Sequence, residues 1–108
     1  MKASIYINEN IIGITNFSVS DESMGGIIGK LIPNENYNLY QSKIQTLTDK
    51  KGIANSSDFK FIIELENKQK LIPEGGIGIS DFKEFNEIII ESAGNSIEII
   101  ELIKNASS

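Results

Sequence analysis

Cysteine, histidine, arginine and tryptophan are all missing from this chain, and each absence removes a class of chemistry. Without cysteine there is no disulfide and no thiolate nucleophile. Without histidine the side chain best suited to proton transfer near neutral pH is gone, and so are the common Cys/His zinc sites. Because every one of the ten basic residues is lysine, bidentate arginine recognition of phosphate or guanine is excluded. Apolar runs are short, far below the length of a membrane span. The N-terminal "MKASIYINEN" has one lysine but no apolar core, since Asn8, Glu9 and Asn10 interrupt it, so no leader is read there. The chain is expected to be soluble and to stay in the cytoplasm.

What is present is an acidic, Ile-rich globular composition. The 108 residues carry a net charge of −5, with 40% hydrophobic and 23% charged residues. That length makes one domain, 1–108, burying roughly 65% of the surface its unfolded chain exposes. The negative charge disfavours nucleic acid and anionic lipid as partners. Heavy use of Ile, Asn and Lys fits an AT-rich bacterial genome.

Periodicity gives the elements. "ASIYI" and "IIGITNF" flank "NEN" and read as a β-hairpin, with Ile7 facing Ile12 and Ile5 facing Ile14. Ser20 to Ser23 reads as a polar turn and "GGIIGKLI" as a third strand. Pro33 stops that strand and Asn34 caps a helix over 35–50. Tyr37, Tyr40, Ile44 and Leu47 form its apolar stripe, Lys50 and Lys51 suit its C-terminal dipole, and Gly52 ends it. The stripe is expected to pack on Ile5, Ile7, Phe59 and Phe61.

"DFKFIIELE" alternates as a strand and returns through "NKQ" into "KLIP", pairing Glu64 with Lys70 and Ile63 with Leu71. "EGGIGIS" and "EIIIESA" are further strands. Asp81 is read as capping a single turn between them, with Glu84 completing the box and Phe82 and Phe85 sharing one side. Gly94-Asn95 reads as a hairpin turn, which favours 96–104 as a last strand over the alternative, a helix started by Asn95 with Glu98 as its capping-box partner and ended by Lys104; the tail is expected to fray from about residue 105. The fold class is α+β: one antiparallel sheet of six or seven strands, ordered β-β-β-α-β-β-β-β, on a single helix.

Short motifs that invite a chemical reading fail on context. "SDFK" occurs at 57–60 and 80–83 with Ser-x-x-Lys spacing. The first copy is read as starting a strand, which puts Ser57 and Lys60 on opposite faces. The second is read as opening a helical turn without companion groups to activate Ser80 or Lys83. Both copies read as entry turns, with Phe inward and Lys in water. "GGIIGKL" lacks both the first glycine and the terminal hydroxyl of a phosphate loop, and "GGIGIS" lacks the third glycine of a dinucleotide fingerprint. Such glycines mark bulges or close backbone approach. No cofactor is implied and no catalytic residue is assigned.

Charge is distributed unevenly. From Glu74 onward there are seven acids and two lysines. The candidate binding residues are Glu84, Glu87, Glu91, Glu98 and Glu101, with Glu91 set opposite Glu98 by the expected hairpin. Like charges facing each other destabilise unless a cation or cationic partner offsets them. Three explanations stand together: a solvated acidic face, a cationic protein partner, or a divalent metal. The functional reading is a small non-enzymatic module that docks on a cationic protein, in concrete form an immunity-type antitoxin masking a basic toxin. The alternatives are a carboxylate- or lysine-based enzyme, a small-ligand-binding domain, or a structural subunit marked by an exposed apolar sheet face.

Overall fold

The computed structural model describes residues 1–106. The fold is α+β, with two antiparallel sheets where a single sheet was expected, and two helices where one was expected. The strands are β1 (Lys2–Ile7), β2 (Asn10–Asn16), β3 (Ser18–Asp21), β4 (Gly26–Lys30), β5 (Ile32–Pro33), β6 (Ala54–Asn55), β7 (Phe61–Leu65), β8 (Ile77–Asp81) and β9 (Ile88–Ser92). A four-stranded sheet runs β5-β2-β1-β7 and a five-stranded sheet β3-β4-β9-β8-β6. Their inner faces share one core, including Ile5, Ile7, Ile12, Ile63, Ile79 and Ile90. None of the helices described is long and apolar enough to cross a membrane.

The first hairpin forms, but in a different register. Ile7 pairs with Asn10 across a two-residue turn, and Ile12 is the extra residue of a bulge. Asn8 and Glu9 hold φ of 49° and 73°, the positive values a tight hairpin turn demands. The bulge turns Ile12 inward and Ile14 outward, whereas the expected register put both inside. Glu9→Gly should raise stability by about 0.5–1 kcal/mol, the relieved left-handed strain less the entropy glycine adds to the unfolded chain. Thermal unfolding checks this.

The expected third strand is two. β4 lies in one sheet and β5 in the other, with buried Leu31 between them. The polar turn read at Ser20 belongs partly to β3, which pairs with β4. Gly29 is a close approach: a Cβ there would run into the Thr15 hydroxyl, which donates to the Lys30 carbonyl at 2.7 Å. This seam between β2 and β4, and not a bound phosphate, accounts for that glycine.

Asn34 caps a short 3-10 turn, Glu35–Tyr37, that leads into α1 (Asn38–Lys51). Gly52 takes φ 87° and donates to the Thr48 carbonyl, ending α1 as expected. Ile44 is fully buried. The helix lies chiefly on β8 and β6, strands that were not part of the expected face, while the expected contact with Phe59 does form. Tyr40 reaches Phe59 edge-on at 6.0 Å, with the Lys43 ammonium 5.2 Å from the same ring. Lys51 pairs with Asp58 at 2.7 Å and holds that carboxyl below its usual range.

β7 buries Phe61, Ile63 and Leu65, and Glu64 bridges to Lys70 as the sequence predicts. The segment 96–104, read as a last strand, is a further correction. From Ile97 on it forms α2 (Ile97–Ala106), not a strand. Ser96 accepts from the Ile99 N–H at 3.3 Å, and Ile99, Ile100 and Ile103 turn inward. The tail expected to fray from 105 is helical through Ala106; 107–108 lie outside the described residues.

Candidate functional site

Asp81 is not a helix cap, as the sequence reading had it. It ends β8, is 3% exposed, and accepts three side-chain hydrogen bonds. The Tyr37 hydroxyl donates at 2.7 Å, and the Gln41 and Gln45 amides at 3.3 Å each. The Asp81 N–H donates to Thr48 Oγ1 at 3.1 Å. Burial, then the Asp81 carboxylate, pushes the Tyr37 phenol well above its ordinary range. The polar spacing 37, 41, 45, 48, running from the 3-10 turn along α1, is the signal that reports this network, and the apolar stripe alone does not reveal it. β6 covers only part of the β8 edge, and α1 covers the rest through Asp81. A buried carboxylate with its oxygens so occupied is a clamp that closes a strand edge. Asp81 lines none of the surface clefts described here.

The two "SDFK" segments fold differently. In the first, Ser57 donates to Asn55 Oδ1 at 2.6 Å in a turn before β7, not within the strand as expected. In the second, Ser80 lies in β8, not in a helical turn, and its hydroxyl donates to the Gly52 carbonyl at 3.0 Å. Phe82 and Phe85 do meet, edge to face at 5.9 Å.

The surface feature with chemistry to offer lies at one end of the five-stranded sheet. Three loops meet there: the β3–β4 turn, the segment before β8, and the β9–α2 connection. Backbone bonds lace them. Gly94 donates to the Met24 carbonyl, Asn95 to Gly25, Glu74 to Gly94 and Gly75 to Ala93, all within 2.9–3.2 Å. The Asn95 side chain adds bonds to the Gly25 carbonyl and Ser92 Oγ. Gly94, at φ 75°, fits where a Cβ would strike the Gly75 nitrogen. Gly94-Asn95 is therefore a loop lock, and the hairpin turn expected there does not form. Ser23 Oγ and the Met24 N–H bind the Asp21 carboxylate and hold it below its usual range.

On this laced backbone sits a cleft of about 500 Å³ walled by Met24, Ile72 and Ile97, with Glu22, Glu74 and Glu101 around it. The three apolar side chains are 65%, 92% and 78% exposed. A second cleft of about 400 Å³ shares Met24 and is bordered by Asp21 and Glu91. Glu22 is tied to Lys104 at 2.7 Å. Among the described residues no salt bridge joins Glu74, Glu91 or Glu98 to a lysine, while Glu101 lies near enough to Lys104 to add to the raised pKa that Glu22 gives that ammonium.

The five predicted site residues are split by this geometry. Glu101 borders the larger cleft and Glu91 the smaller, while Glu98 is exposed on the first turn of α2. Glu84 and Glu87 lie on the β8–β9 loop at the far end of β9, roughly 17 Å of extended strand away, and Glu87 pairs with Lys30 at 3.5 Å. Glu91 does not face Glu98, because its neighbours are Ile28 and Gly78. Glu22 and Glu74, with the apolar trio, escaped sequence reasoning because three distant segments supply them. Among the described residues no group of three or more carboxylates converges closely enough to hold a metal ion. No family model, curated protein or solved structure matches this chain.

Proposed function

We propose that the protein is a non-enzymatic binding module whose working surface is this acidic pole. The observation that carries the reading is the apolar trio Met24, Ile72 and Ile97, exposed inside one cleft and rimmed by carboxylates. Exposed apolar side chains grouped within a charged border are the anatomy of a protein interface. The lacing of the three loops supports the same reading, since a surface already ordered loses little entropy when it docks. The unpaired carboxylates favour a partner with a basic surface, steering its approach. In concrete form the module is an immunity-type antitoxin that covers a basic toxin.

Pulldown from the native host, followed by stopped-flow association, tests this. Ile72→Ser/Ile97→Ser should change stability by less than about 0.5 kcal/mol, both residues being exposed, and should abolish capture. Glu74→Gln/Glu91→Gln/Glu101→Gln should slow association and remove most of its salt dependence, which acts over about 8–10 Å at physiological ionic strength. Glu84→Gln/Glu87→Gln should leave the rate unchanged. A partner that binds every variant as it binds the wild type does not use this pole, and the reading fails.

A further inference from the structure

The outer face of the four-stranded sheet is built on another plan. Alternate residues of β1 and β7 point outward, among them Ser4, Tyr6, Ile62 and Glu64. Tyr6 stands in register with Ile11 and Ile62, and Ile14 with Ile32. The outer face of an antiparallel sheet is ordinarily polar, yet here Ile14 and Ile32 are 46% and 62% exposed and Ile11 36%. Neighbouring strands lie about 4.8 Å apart, so Tyr6, Ile11 and Ile62 form one apolar row of the patch and Ile14 and Ile32 a second.

The charge around the patch is balanced. Its flanking clefts are bordered by Lys2, Lys68 and Lys70 and by Glu9, Glu64 and Glu66, three cations against three carboxylates. We infer that this face associates with the same face of a second copy about a two-fold axis. A two-fold contact sets each residue of a patch against another residue of that patch. A border carrying both signs can therefore meet itself with Lys opposite Glu. The acidic pole has one dominant sign and repels its own copy. The two exposed apolar areas thus sort by partner: the acidic one suits a basic protein, and the neutral one suits itself.

Size sets the strength. Strands of six, seven, two and five residues present roughly 300 Å², well under half of the roughly 800 Å² per partner in a standard stable interface. The dimer is weak and reversible.

Sedimentation velocity from micromolar to millimolar concentration is the test. The wild type should move from monomer to dimer as concentration rises. Ile14→Glu/Ile32→Glu should raise the dissociation constant by about tenfold or more, and Ile72→Ser/Ile97→Ser should leave it unchanged. Amide shifts of the wild type should change with concentration in β2 and β5, a readout that survives if the double variant misfolds. A wild type that stays monomeric, a dimer untouched by Ile14→Glu/Ile32→Glu, or shifts confined to the acidic pole would each overturn the inference.

Discussion

Ile44→Ala is expected to destabilise the protein by about 2–5 kcal/mol, the range for truncating a buried Ile where the cavity cannot collapse. Ile44 is wholly buried on α1 within the shared core, and α1 is pinned at Gly52 and through Asp81 to β8. Those anchors restrict the helix from sliding into the void. Urea unfolding of wild type and variant measures the difference. A loss under about 0.5 kcal/mol, the scale of surface changes, is incompatible with Ile44 filling the core.

Asp81→Ala is expected to cost about 2–4 kcal/mol, because it strands the buried Tyr37 hydroxyl and leaves two amides without their acceptor. Tyr37→Phe/Asp81→Leu should cost less than the sum of the single changes, since removing both partners leaves no orphaned donor–acceptor pair at Tyr37. The same network predicts a pH dependence. Tyr37 has a raised pKa in the folded state, so its contribution is complete below the unfolded tyrosine value of about 10 and falls as pH climbs beyond it. Wild-type stability should therefore drop on the alkaline side, and Tyr37→Phe should flatten that limb. Urea midpoints measured across the alkaline range give both results. An identical alkaline slope in wild type and Tyr37→Phe would show that Tyr37 does not titrate against folding.

Local chemistry in the sequence was enough to locate most elements. The Asn34 cap, the Tyr40–Ile44 stripe and Gly52 define the helix, and period-two alternation defines β7 and its return to Lys70. What stayed hidden depends on single residues that break a period. The extra Ile12 reverses the faces of everything after it in β2, and so exposes Ile14. Gly94-Asn95 has the composition of a hairpin turn, but tertiary bonds to Met24 and Gly25 claim it for a different geometry. Asp81 looked like a cap because its donors lie some forty residues away along the chain. The acidic excess of the last third was legible. Its assembly with Met24 and Ile72 was not, because register and loop lacing, rather than composition, bring them together.

The corners at Phe17 and Leu31 bear on how the molecule is made. β2 runs into β3 through Phe17 alone, and β4 into β5 through Leu31 alone, each step carrying the chain from one sheet to the other. Neither sheet is thus a contiguous stretch of polypeptide. β1 waits for β7 on its open side, and β4 waits for β9. A nascent chain that has emerged only through α1 holds half-sheets with bare edges and exposed isoleucines, a state prone to adhesion. Pairings so distant in sequence also fold slowly. The four-stranded sheet can close once β7 has emerged, but the five-stranded sheet waits for β9, so β3 and β4 stay without their partner strand through most of synthesis.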